Sequence, residues 1–99
     1  MKPFLISAPA SEELAAAVRW YEQRRYGWGV KLFDAVTHAI EQICEYPEIG
    51  SRRIGRWPNR EWRVKGFPYK VVYRIREHDI YVAAIAHTSR HPDYWKDRG

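Results

Sequence analysis

His87, His91, Tyr94 and Trp95 lie behind an arginine-rich stretch, and these are the side chains with chemistry to offer. An imidazole changes charge near neutral pH, so His87 can serve as acid or base, or can hold a local hydrogen bond at a strand end. Nine basic residues stand between Arg52 and Arg76 against one acid, Glu61. Twelve of the seventeen basic residues are arginine. Guanidinium groups grip phosphate or carboxylate in pairs of hydrogen bonds and stack on flat rings. That chemistry suits a polyanion or an acidic protein surface. It does not suit a metal: His87 and His91 are four apart, but no third ligand and no helical His-Glu-x-x-His accompany them. Nor does it suit a nucleotide loop. Gly50 and Gly55 have the outer glycine spacing, yet Arg56-Trp57 stand where Lys-Ser/Thr is required. No cofactor and no metal are expected.

These residues need a scaffold, and 99 residues supply one domain, 1–99, with a single modest core. An apolar share of 45% is too high for a disordered chain. No apolar run is long enough to cross a membrane, and the N-terminus lacks a signal-peptide core. Cys44 is the single cysteine, so no internal disulfide forms. The expectation is a small, soluble, intracellular protein that engages no membrane. Its net charge of +5 is unevenly spread. Residues 1–50 carry five Lys/Arg against seven Asp/Glu, a balance of −2; residues 51–99 carry twelve against five, a balance of +7.

Hydrophobic spacing sets the elements. Phe4-Leu5-Ile6 reads as a short strand closed by Pro9. Ser11 is positioned to cap a helix whose Leu14, Val18 and Tyr21 share a face. Gly27-Trp28-Gly29 interrupts the pattern, and a second helix presents Phe33, Val36, Ile40 and Ile43 until Pro47 and Gly50 end it. Trp20, Trp28 and Cys44 are expected to pack. The second half changes to alternation: Trp62 and Val64 against Arg63 and Lys65, then Val71, Tyr73 and Ile75 against Lys70, Arg74 and Arg76. Ile80 to Ala86 is almost wholly apolar, as in a strand covered on both sides. The sum is an α+β domain, β-α-α-β-β-β, with a helical hairpin on one face of a small antiparallel sheet. The charged positions should share the other face.

Three stretches in this order resemble one family: Glu41 to Arg53 (EQICEYPEIGSRR), Trp62 to Ile75 (WRVKGFPYKVVYRI) and Ile80 to Arg98 (IYVAAIAHTSRHPDYWKDR). The chain is similar over nearly its whole length to RelE/ParE toxins of bacterial type II toxin–antitoxin pairs. The resemblance implies a cytoplasmic toxin held in a hetero-oligomer by a cognate antitoxin, whose acidic, disordered segment folds on binding as an amphipathic helix and an added strand. It also implies one of two targets. RelE-like members cut mRNA in the ribosome, which would make Arg63, Tyr94 and His87 the catalytic residues. ParE-like members act on DNA gyrase without cutting, which would make Lys65, Lys70, Arg74, Arg76, Arg90, His91 and Trp95 target-binding residues. Many ribonuclease members place an arginine just after the last strand; here that position is Thr88. Arg90 follows two residues later, a displacement of roughly 6–7 Å along a strand. The His87-Thr88-Ser89-Arg90 ending is similar to the His-x-x-Arg of ParE-like members, so gyrase is the expected target. An mRNA endonuclease is the alternative, and a non-toxic nucleic-acid-binding module on the same fold is a third reading.

Overall fold

Ser7, not Ser11, starts the first helix. In the computed structural model, which describes residues 1–52 and 58–89, strand β1 (Phe4–Ile6) runs directly into α1 (Ala8–Arg24). The Ser7 Oγ accepts the Ala10 N–H at 3.2 Å and donates to the Ala83 carbonyl at 3.2 Å. Pro9 sits in the first turn, where its missing N–H costs nothing, so it opens the helix rather than closing the strand. Ser11 looked suitable because two acids follow it; Ser7 has both a helix to cap and a strand to hold.

α2 (Trp28–Glu45) follows a tight turn at Gly27, whose φ of +87° is a left-handed conformation open to glycine. Glycine carries no capping side chain, and Glu22 of α1 does the work instead. Its Oε2 accepts the Gly27 N–H at 2.9 Å, and its Oε1 accepts the Gly29 N–H at 2.9 Å. A carboxylate on free N–H groups also meets the positive end of the α2 dipole. Glu22→Ala should therefore lower unfolding free energy by about 1–2 kcal/mol in urea titration, the cost of stranding charge-assisted bonds. Glu22→Gln, which keeps an acceptor oxygen, should lose less.

The buried stripe of α2 is Gly29, Leu32, Val36, Ala39, Ile40, Ile43 and Cys44. Phe33 lies one position off it and is 50% exposed, a departure from the expected face. Leu14, Val18 and Tyr21 of α1 pack against the core as expected. Burial, with help from Glu41, pushes the Cys44 thiol pKa up, so this sulfur behaves as packing.

The sheet contains β2 (Ser51–Arg52), β3 (Arg60–Arg63), β4 (Tyr69–Ile75) and β5 (Ile80–His87), in the order β1-β5-β4-β3-β2. The hairpin-on-sheet architecture matches expectation, with two additions. β2 adds a two-residue edge, and β1 pairs parallel to β5, so the sheet is mixed. Tyr73 ties it to the segment after α2. Its buried hydroxyl donates to the Pro47 carbonyl at 2.6 Å and accepts the Gly50 N–H at 2.9 Å. Burial raises its pKa, so the phenol stays a donor.

One irregularity decides what faces where. Val72 pairs with Ala84, but Tyr73 pairs with Val82, leaving Ala83 as an extra residue in β5. Such a bulge reverses the in–out alternation beyond it. Ile80 and Val82 face the helices before the bulge, and Ile85 does so after it; Val72, Ala84 and Ala86 form a second buried cluster on the far side.

Candidate binding surfaces on the two faces of the sheet

The far face carries charge. Val64, Val71 and Tyr73 belong to the main core, and Trp62 packs against it with its Nε1–H on the Gln42 Oε1 at 3.1 Å. Alternation then puts Glu61 and Arg63 of β3, and Lys70 and Arg74 of β4, on the opposite side. Arg63 stands directly across from Lys70. Two like charges in that position repel. Lys70 is turned instead to Glu61, with Nζ–Oε1 2.9 Å and both side chains largely buried. Arg63 is exposed and forms no ion pair with a described residue. Arg74 lies over the Tyr81 ring, its guanidinium carbon 4.9 Å from the centroid, and Arg76 lies at 4.7 Å. Arg76 is also committed to Asp79 by two 2.6 Å bonds, which hold the Asp79 carboxyl below its ordinary value. Lys65 falls in the β3–β4 turn rather than on a strand, and is exposed. The expected row of equivalent cations is thus a graded set. Lys70 and Arg76 are tied to acids, while Arg63, Lys65 and Arg74 have no acid partner among the described residues.

The near side carries the histidine. His87 shares the parity of Ile85, so its ring projects towards the helices. It packs edge-on against Tyr69 at 5.1 Å. Its Nδ1 accepts the Ser89 N–H at 3.1 Å and lies 2.7 Å from the Ser89 Oγ, which leaves the ring proton on Nε2. This is the local hydrogen-bonding role open to a strand-end histidine. Tyr69 is a poor proton donor or acceptor near neutrality, because burial and the neighbouring Tyr21 raise its pKa. His87, Tyr69, Tyr21, Trp20, Ala16, Ala17, Glu13 and Ile85 surround a groove of about 470 Å³.

Arg63 and His87, two of the three ribonuclease candidates, therefore project from opposite faces of the sheet. The structure does not bring them together. Tyr94 lies outside the described residues, as do Arg90, His91 and Trp95.

The hairpin departs from the expectation that Trp20 packs. Trp20 is 48% exposed with the Arg24 guanidinium stacked 3.6 Å over its ring. Tyr26, Val30 and Phe33 are exposed nearby in sequence. Trp28 does pack, edge-on to Phe67 at 6.1 Å, with Lys31 and Arg25 over its other side. The available sequence signal was the position of Trp20 one step off the Leu14, Val18 and Tyr21 face; Phe33, read as part of the apolar face of α2, gave none. Among the described residues no cluster of His, Cys, Asp or Glu could hold a metal ion. No described helix is long and apolar enough to cross a membrane.

Two comparisons bear on these surfaces. Residues 4–92 match a family model described as the ParE toxin of type II toxin–antitoxin system, parDE. Among solved structures, a chain of the chromosomal ParDE TA system from P. aeruginosa superposes with a TM-score of 0.75. It is 16% identical, and the match covers 88% of this chain and 96% of that one. No curated protein matches the sequence.

Proposed function

Because the chain belongs to the ParE toxin family of type II toxin–antitoxin systems, we propose that it arrests growth by binding DNA gyrase through its basic far face, and that a cognate antitoxin neutralises it. The observation that carries this reading is the separation of Arg63 from His87 by the thickness of the sheet. Cleaving RNA without a metal requires a proton acceptor, a cation and a proton donor around one phosphate. Groups on opposite faces cannot share that phosphate. Binding has no such requirement: Arg63, Lys65 and Arg74 can act together as a charged surface against DNA or an acidic protein.

Pulse labelling after induction without antitoxin tests the target. Thymidine incorporation should fall within the first minutes while amino-acid incorporation continues. Protein synthesis stopping first would overturn the gyrase reading in favour of the ribosome. Co-expression with the antitoxin should restore growth and yield a soluble complex.

A further inference from the structure

Two arginines converge on one ring at the end of the far face. Ile80 and Val82 belong to the main core, so Tyr81 between them projects to the other side of the sheet. Arg74 of β4 pairs directly with Tyr81 across the ladder, and Arg76, two residues on, shares its parity. Their guanidinium carbons lie 4.9 and 4.7 Å from the centre of the Tyr81 ring. Two like charges so placed repel, and a ring that attracts each of them holds them together. Asp79 takes the Nε and Nη2 edge of Arg76 at 2.6 Å, which offsets one of the two charges. Lys2 brings a third cation close, its Nζ donating to the Arg76 carbonyl at 2.6 Å and the Glu77 carbonyl at 3.0 Å. The cluster keeps an excess of positive charge on an ordered support.

We infer that Arg74 and Arg76, held by Tyr81, form a phosphate clamp for duplex DNA, so that the far face lies on the DNA that gyrase carries rather than on gyrase itself. The inference rests on the gyrase reading above and names the molecule this face touches. The planar fork of arginine matches phosphate oxygens in pairs of hydrogen bonds, and stacking on a ring leaves the edge of the fork open to them. Spacing favours DNA over an acidic protein. Arg63 stands across from Lys70, and Arg74 is four residues further along β4, roughly 13 Å at the rise of a strand. The major groove of B-DNA is about 12 Å wide, with phosphates along both rims. Arg63 and Lys65 then meet one rim while Arg74 and Arg76 meet the other. Carboxylates on a protein surface have no such fixed repeat. Tyr81 is a positioning residue: it orders two flexible side chains before contact, so less freedom is lost on binding.

The test uses the whole toxin, a short blunt DNA duplex and gyrase. Anisotropy of the labelled duplex gives the affinity over a range of salt concentrations, and each phosphate contact steepens the fall of log K with log[salt] by about 0.9. Tyr81→Leu should lower affinity about tenfold and flatten that slope by about 1–2, the signature of lost phosphate contacts. Tyr81→Phe keeps the ring face and should match the unaltered toxin in both. Arg74→Gln leaves the ring in place, should flatten the slope by about 1, and serves in its stead if Tyr81→Leu does not fold. Equal slopes in the unaltered toxin and these two variants overturn the clamp. A loss in Tyr81→Phe as large as in Tyr81→Leu overturns the role of the ring. Toxin that binds gyrase equally well with and without the duplex, and does so unchanged in Arg74→Gln, overturns the DNA contact and leaves the gyrase reading standing. No binding to gyrase in either condition overturns the gyrase reading itself.

Discussion

Gly29→Ala is expected to destabilise the toxin by about 3 kcal/mol, at the upper end for overpacking a close contact. A Cβ at position 29 would stand 2.7 Å from the Val18 carbonyl oxygen and 3.0 Å from the Glu22 Cβ and Oε1. The first of these is backbone within α1, and it cannot swing aside. Relief requires α1 and α2 to separate at the turn, which also breaks the bond from the Gly29 N–H to Glu22. Gly27→Ala makes the informative contrast. Nothing lies within 4 Å of a Cβ there. Its cost is the left-handed φ alone, about 1–2 kcal/mol. Urea unfolding of the two variants separates close approach from backbone strain. Equal losses would mean that the helices are not held as tightly at Gly29 as the distances say.

The larger functional effect is expected from reversing charge on the far face. Arg63→Glu together with Arg74→Glu should lower affinity for the target at least about a hundredfold, since like-charge contacts across an interface cost several kcal/mol. Growth arrest should be lost at protein levels where the unaltered toxin stops division. Neither side chain is part of the main core, so the melting temperature should hardly move. His87→Ala should leave growth arrest intact, because its imidazole is on the other side of the sheet. Persistence of toxicity in the double reversal would remove the basic face from the mechanism.

The helical hairpin and three long strands were legible because their periods differ sharply. Val36, Ile40 and Ile43 recur at helical spacing, whereas Trp62 to Lys65 and Val71 to Arg76 alternate. Boundaries were harder. Ser7 and Ser11 both precede acceptable helix starts, and the choice falls to Ser7 through its bond to Ala83, 76 residues away. The site was legible as a list of side chains but not as an arrangement. Counting in twos from Ile80 along β5 puts His87 on the far face with Arg63. The bulge at Ala83 moves it across, and a run of apolar residues contains nothing that marks one of them as extra. Glu22 was invisible for a different reason: it caps a helix other than its own. Lys70 and Glu61 read as independent charges until the β3–β4 register set them diagonally opposite.

The pairing of β1 with β5 also sets an order of events during synthesis. Phe4 to Ile6 emerge first and have no strand to join until Ile80 to Val82 exist. The helical hairpin can form from neighbours in sequence, but the sheet edge closes across nearly the whole length of the chain. Closing so large a loop costs entropy that local contacts do not repay in advance. The hairpin therefore precedes the complete sheet. A nascent chain stopped short of β5 has no finished sheet against which its helical hairpin can pack.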